Sequence, residues 1–174
     1  MRNGRLFFCH LASPISSLYS RLSVLCSLLM EILPASLRDL GPLRHIEQAC
    51  FPKDAWPLLD LVAVLTWSDV IRLKAVVDGR MVGFIAGDPS RTEGMAWIAT
   101  LGVLPEYRRR GIARALLIEC EKRLQANRLR LCVRQDNTSA IRLYEEEGYQ
   151  RVGIWAKYYN DGCDALVMEK VQER

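Results

Sequence analysis

The sequence predicts an α+β fold of mixed strands and helices in one domain, and three features carry that reading. Asp78-Gly79 stands between two strand-like runs and marks a tight hairpin. Residues 95–103 read as a long strand that passes through an arginine-bearing loop into a helix opened by Gly111. A second strand-helix unit and two closing strands follow, so an antiparallel start feeds a strand-helix-strand-helix middle. The 174 residues, 50% hydrophobic and 25% charged, are enough for one full core.

Taken in order, residues 1–29 differ from everything after them. They contain no acidic residue, carry Arg2, Arg5 and Arg21, and are dotted with Ser13, Ser16, Ser17, Ser20, Ser23 and Ser27. Arg-rich, Ser-rich and acid-poor composition is that of an organellar transit peptide. The apolar run 22–30 is broken by Ser23 and Ser27 and is too short to span a bilayer. A transit peptide, a signal peptide and a translation start at Met30 are all compatible with this stretch. The expectation is an extension over residues 1–29 and one domain over residues 30–174, cytoplasmic by default and organellar if the extension is a transit peptide.

Residues 31–33 read as a short first strand, ended by Pro34. Ser36 is placed to cap a helix reaching about Ala49, with Leu37, Leu40, Leu43 and Ile46 at three- and four-residue spacing. Phe51-Pro52 breaks it. Asp54 then stands as the cap of a second helix, residues 55–67, with Pro57 in its first turn. Residues 70–77 and 81–88 are the hairpin strands, Glu93-Gly94 a loop, and residues 95–103 the third long strand, ended by Pro105. After Gly111, Ile112, Leu116, Leu117, Cys120 and Leu124 share one helical face. Residues 129–133 form a short buried strand, and residues 138–147 a helix with Gly148 at its end. Residues 149–156 and 165–170 are the closing strands.

Charge and cysteine content exclude several classes. A net charge of +4 falls well short of a nucleic-acid-binding arm, and Arg108, Arg109 and Arg110 are the one tight basic cluster. Cys9, Cys26, Cys50, Cys120, Cys132 and Cys163 form no C-x-x-C pair, and His10 and His45 lie far from any such pair, so no metal site is expected. A chain of this length buries a core without disulfide staples, and the cysteines read as free thiols.

The arginine loop is where chemistry concentrates. A strand ends at Val103, the loop carries Arg108, Arg109 and Arg110, and Gly111-Ile112-Ala113-Arg114 opens a helix. Free N–H groups at a helix start, with the helix dipole behind them, suit a diphosphate. Small residues at Gly111 and Ala113 let the oxygens approach the backbone, and guanidinium groups add attraction. A Walker loop or a dinucleotide fingerprint would need denser glycines. The string Leu101-Gly102-Val103-x-Pro105-x-Tyr107-Arg108-Arg109-x-Gly111-Ile112-Ala113 resembles the signature of the GNAT superfamily of acetyltransferases, Arg/Gln-x-x-Gly-x-Gly/Ala, in its strand-to-helix setting.

A second block, Asn137-Thr138-Ser139-Ala140-Ile141-Arg142-Leu143-Tyr144 running to Gly148-Tyr149, is similar to the family's Asn-x-x-Ala-x-x-Leu-Tyr-x-x-x-Gly-Phe/Tyr element. The resemblance spans residues 31–170. It implies a mixed central sheet of six or seven strands with about four helices, and direct transfer of acetyl from acetyl-CoA to an amine. It further implies that Leu101, Gly102 and Val103 hold the pantetheine arm and receive the thioester carbonyl. Arg108, Arg109, Arg110, Gly111, Ile112, Ala113 and Arg114 would hold the phosphates, Asn137 the coenzyme, and Tyr144 would protonate the leaving thiolate.

Within the superfamily the chain most resembles the bacterial ribosomal-protein alanine N-acetyltransferases and their eukaryotic protein N-terminal counterparts. Cys50-Phe51-Pro52 and Trp56 are similar to that subgroup's acceptor loop, and Lys157-Tyr158-Tyr159 with Asp164-Ala165-Leu166-Val167-Met168 to its closing segment. Phe51, Pro52, Trp56, Tyr158 and Tyr159 are the acceptor-binding residues this implies, and the acceptor that the resemblance implies is a protein N-terminus. The general base is unassigned. The subgroup's base position holds Cys132, and the places of a related His and Tyr hold Cys132 and Trp97. A thiol is a poor base, which leaves an ordered water or a carboxylate such as Glu93. The alternatives are a small-amine acetyltransferase, kept open by Asp54, Asp60 and Asp161, and a non-catalytic acyl-CoA-binding module. Neither nucleic acid nor membrane is an expected partner, and the oligomeric state is left open.

Overall fold

A computed structural model describes residues 30–89 and 94–172. The expected extension over residues 1–29 and the candidate base Glu93 lie outside the described residues. The strands are β1 (Met30–Pro34), β2 (Ile71–Val77), β3 (Arg80–Pro89), β4 (Met95–Val103), β5 (Arg128–Arg134), β6 (Gln150–Trp155) and β7 (Ala165–Val171). The helices are α1 (Leu40–Cys50), α2 (Leu58–Thr66), α3 (Ile112–Leu124) and α4 (Thr138–Glu146). The 7-stranded sheet runs β1-β2-β3-β4-β5-β7-β6, so the expected mixed sheet with about four helices is what forms.

The hairpin at Asp78-Gly79 works as its sequence dictates, with both residues at positive φ (51° and 75°). It pairs β2 with β3 antiparallel and leaves β3 in the middle of the first half-sheet, buried from Met81 to Gly87. Side chains alternate faces along a strand, so β3 needs cover on both sides. A Cβ added at Gly83 would meet Leu116 of α3, whereas one at Gly102, paired with Phe84, would meet Ile46 and Cys50 of α1. Gly83 and Phe84 point oppositely, which places α3 and α1 on opposite faces. Leu43, Ile46, Phe84, Leu116, Leu117, Leu129 and Leu131 make the buried core between them.

Two helix boundaries differ from expectation, for local reasons. Ser36 does not open the long helix but a 3-10 turn, Leu37–Asp39, where its backbone N–H donates to Asp39 Oδ2 at 2.8 Å. Asp39 in turn pairs with Lys74 of β2 at 2.6 Å, and α1 begins only at Leu40. Asp54 does not cap α2. It is drawn to Arg134 at 2.7 Å, and Pro57 stands before the helix rather than in its first turn.

What opens the site is the middle of the sheet. β4 and β5 are parallel neighbours only from Met95↔Arg128 to Ile98↔Leu131. Against β3 the register of β4 jumps from Gly87↔Ile98 to Ala86↔Thr100, so Ala99 is the extra residue of a bulge. A bulge bends its strand. Beyond it, β4 from Ala99 to Val103 and β5 from Cys132 to Arg134 part company, and both strand ends face a wedge-shaped gap.

Candidate active site

The gap is a cleft of about 430 Å³. One wall is the parted end of β4, with Ala99, Thr100 and Leu101. The other is the end of β5 with Cys132, Val133 and Arg134, continued by Asn137, Ala140 and Tyr144 of the α4 region. Phe51, Asp54 and Trp56 of the α1–α2 loop and Trp155, Tyr158 and Tyr159 of the β6–β7 loop line its front. Among the implied acceptor residues, Phe51, Trp56, Tyr158 and Tyr159 thus share one cleft, while Pro52 is exposed and off its wall. Gly102 faces α1 instead: its missing Cβ leaves room for Ile46, Cys50 and Phe51, which a methyl would meet at 3.2–3.3 Å.

Tyr144 is buried to 7% exposure, and its hydroxyl has no hydrogen-bond partner among the described residues although the residue lines the cleft. Burial pushes the phenol above its ordinary range, so it stays protonated and able to donate. Its ring lies edge-on to Tyr149 at 5.7 Å. Asn137 caps α4 with Oδ1, accepting from Ala140 N at 3.2 Å and Ser139 Oγ at 3.1 Å.

The arginine loop sits beyond the end of β4. A 3-10 turn, Pro105–Tyr107, leads into it, and Arg109 (φ 62°) and Gly111 (φ 77°) both adopt left-handed backbone. As a result, none of the backbone N–H groups from Arg109 through Arg114 forms a well-made hydrogen bond among the described residues, and the first helical bond is Ala115 N to Gly111 O. A Cβ on Gly111 would meet nothing within 4 Å. The four arginines divide their work. Arg108 Nε donates to Val103 O at 3.0 Å, and Arg110 donates to Glu106 O and stacks on Tyr107 at 5.1 Å, so both brace the turn. Arg114 is held by Glu146 at 2.5 Å and Glu147 at 2.6 Å. Arg109 has no such partner among the described residues and is exposed. The turn is therefore an anion cradle of backbone donors with one uncommitted guanidinium beside it.

Three features of the cleft were not singled out by sequence reasoning. Arg134 clasps the two front loops: it reaches Asp54 at 2.7 Å and Asp161 at 2.8 Å, and lies 4.9 Å over the Tyr159 ring. Lys53 also pairs with Asp161, at 3.0 Å. Trp155 extends the aromatic wall, packing 5.9 Å from Trp97 and 5.4 Å from Tyr158. Glu47 of α1 is 2% exposed and lines the cleft, accepting from Thr100 Oγ1 at 3.2 Å and, at the outer limit, from Trp56 N at 3.5 Å. Burial pushes its carboxyl above the ordinary range, outweighing those two hydrogen bonds. Its signal was present, because 40, 43, 47 and 50 share one helical face, buried at 43 and 47 and half-buried at 40 and 50, and it is the polar member. Cys132 has its thiol pushed up to about 11 by burial and remains protonated near neutral pH.

Among the described residues no group of three or more His, Cys, Asp or Glu is placed to hold a metal ion, and no helix is long and apolar enough to cross a membrane.

Known proteins share this architecture. The model of the acetyltransferase (GNAT) family matches residues 40–149. The catalytic subunit NAA10 of the N-terminal acetyltransferase A complex of Arabidopsis thaliana is 29% identical over 143 residues, covering 78% of this chain and 74% of that protein. An N-acetyltransferase of Methanocaldococcus jannaschii is 34% identical over 145 residues, covering 81% of this chain and 91% of its own. The ribosomal-protein-S18-alanine N-acetyltransferase from Escherichia coli superposes with a TM-score of 0.76 at 27% identity, covering 84% of this chain and 96% of that one. Arabidopsis thaliana NAA60 in complex with acetyl-CoA superposes with a TM-score of 0.72 at 26% identity, covering 82% and 98%. The chain belongs to the GNAT acetyltransferase family and is an acetyl-CoA-dependent N-acetyltransferase.

Proposed function

We propose that this enzyme acetylates the N-terminal α-amino group of a polypeptide, such as a ribosomal protein. The observation that carries the proposal is the front of the cleft, where Phe51, Trp56, Trp97, Trp155, Tyr158 and Tyr159 form an aromatic wall around an opening held between two clasped loops. Such a wall offers flat apolar surface and polar edges to a peptide's first side chains and backbone. A polyamine would call for several uncommitted carboxylates, whereas Asp161 is already paired with Arg134 and Lys53, and Asp54 with Arg134. One observation keeps a small amine in play: Asp54 Oδ1 is buried without a hydrogen-bond partner. Kinship with NAA10 and with the Escherichia coli alanine N-acetyltransferase favours the polypeptide.

In this reading acetyl-CoA supplies the acetyl group as a thioester, and the chain does the rest. The N–H run from Arg109 to Arg114 and the Arg109 guanidinium bind the phosphates, with Ile112 and Ala113 presenting backbone only. The unpaired edge of β4 at Leu101–Val103 takes the pantetheine amides as a missing strand would, and offers an N–H to the thioester carbonyl. Arg108 and Arg110 hold the turn in shape, and Arg114 ties α3 to the end of α4. Asn137 borders the coenzyme, and Tyr144 gives its proton to the departing sulfur.

Thiol release from acetyl-CoA by the full chain, measured against N-terminal peptides and small amines, tests the acceptor. Turnover on a peptide beginning with Ala, Ser or Met, with little on polyamines, is the expected result. Turnover confined to small amines overturns the acceptor while leaving the family in place.

A further inference from the structure

Three acidic side chains are buried among the described residues: Glu47, Glu121 and Glu169. Two of them are neutralised within the fold. Glu121 pairs with Lys170 at 2.6 Å and accepts from the Tyr149 hydroxyl at 2.9 Å, while Glu169 is gripped by Arg128 at 2.7 Å and Arg130 at 2.5 Å. Glu47 has no cation within reach among the described residues; a hydroxyl and one distant amide are its only donors there. Burying a carboxylate without a counter-charge is costly, and folds retain such a group where something else supplies the charge. The cleft onto which Glu47 opens is where an acceptor amine must come, and that amine arrives as an ammonium.

We infer that Glu47 is the proton acceptor for the acceptor amine, the position on β5 being occupied by the unsuited Cys132. Geometry supports it. Glu47, on α1, and Tyr144, on α4, line the same cleft from different elements, so the proton acceptor and the proton donor come from separate helices. Its hydrogen-bond partner Thr100 is the residue after the Ala99 bulge, on the part of β4 that has left β5. Thr100 therefore ties the carboxylate to the strand along which the thioester is proposed to lie. The Trp56 N–H, from the acceptor loop, ties it to the acceptor side.

The proton account closes. An ammonium first loses a proton to the Glu47 carboxylate, which passes it to solvent. As the N–C bond forms, nitrogen gives up a second proton to Glu47; as the C–S bond breaks, Tyr144 gives one to sulfur. Transfer from Glu47 back to the Tyr144 phenolate through water restores both groups. The net yield is an amide, a free thiol and one proton from the original ammonium.

The inference rests on amine acetylation as such and on no particular acceptor. The test is E47Q in the full chain, assayed on whichever peptide or small amine the unaltered enzyme turns over best, so failure of the polypeptide reading is seen separately in the choice of acceptor. Expected at pH 7 is a fall in kcat/KM of roughly 10²–10⁴-fold, with acetyl-CoA affinity held within about twofold. The deficit should narrow as pH passes through the amine's own pKa, about 7.7–8.0 for an α-amine. The melting temperature should hold or rise, because the neutral amide removes a buried charge that nothing balances. E47D, keeping a carboxylate on a shorter stem, should retain part of the rate and the acid limb of the pH profile. Activity of E47Q within about threefold of the unaltered enzyme, with the same pH profile, overturns the inference. So does a loss of rate matched by a lower melting temperature or weaker acetyl-CoA binding, which would mark Glu47 as a packing group. Should E47Q fail to fold, E47D that folds and turns over with the acid limb of the pH profile gone overturns it equally.

Discussion

At the scale of single residues, Tyr144 carries the clearest consequence. Its hydroxyl makes no hydrogen bond within the described residues, so Tyr144→Phe removes a proton donor and almost nothing that holds the fold. The expected outcome is a loss in kcat of roughly 10²–10⁴-fold, the range of a proton-transfer group, with acetyl-CoA affinity and melting temperature nearly unchanged. Rate and affinity falling together in direct binding and turnover assays would refute the general-acid role. That Tyr144 and Asn137 reach one cleft was legible in the sequence, because their spacing is local and spans one capped helix. Glu47 was not, since a lone polar residue on a helical face has its meaning set by what lies opposite, and Thr100 is 53 positions away. The same holds for Arg109: nothing in a run of three arginines says which two fold back on the turn and which one stays uncommitted.

At the scale of elements, the two front loops depend on one guanidinium. Arg134 closes Asp54 of the α1–α2 loop and Asp161 of the β6–β7 loop onto the end of β5. Arg134→Met keeps much of the stem's length and removes the clasp. The acceptor KM should rise on the order of tenfold, two severed charge-assisted contacts being ample for that, while acetyl-CoA affinity stays put because the anion cradle lies beyond β4. An unchanged acceptor KM in steady-state kinetics would show that the loops hold themselves. The clasp also has a pH sign. Hydrogen bonds from Arg134, then from Lys53, keep the Asp161 carboxyl well below its ordinary range, and Arg134 does the same for Asp136. A depressed carboxylate contributes stability that is present above its unfolded value, about 3.9, and lost as pH falls through its folded one. The acceptor KM of the unaltered enzyme should accordingly show no clasp-linked change from neutrality down to about pH 4, and rise only below it. This network also explains where the sequence misleads. The β2–β3 pairing follows alternation and the Asp78-Gly79 turn, which are local, but Asp54 looks like a helix cap until a partner 80 positions away claims it.

At the scale of the whole molecule, the sheet is two halves joined along a short parallel seam, Met95–Ile98 against Arg128–Leu131. The first half brings the β4 edge and the anion cradle; the second brings Asn137, Tyr144 and the β6–β7 loop. A ligand lying in the gap touches both, so it should act as cross-bracing and raise the stability of the domain as one unit. At a hundred times its dissociation constant, a ligand that binds only the folded state adds about 2.7 kcal/mol. For a domain of this size, that corresponds to a rise of roughly 5–10 °C in melting temperature. Hydrogen exchange should slow at the Arg109–Arg114 amides and at those amides of Ala99–Val103 that point away from β3, the groups left without partners in the fold. Gly111→Glu supplies the control. Its side chain would enter open space at the cradle, carry negative charge toward the phosphates, and sit at a φ of 77° that suits glycine. In that variant acetyl-CoA should produce neither the thermal shift nor the slowed exchange. No slowing at the Ala99–Val103 amides, or an equal thermal shift in Gly111→Glu, would mean that the coenzyme does not lie in the gap between the halves. The strand gap would then be an acceptor passage alone.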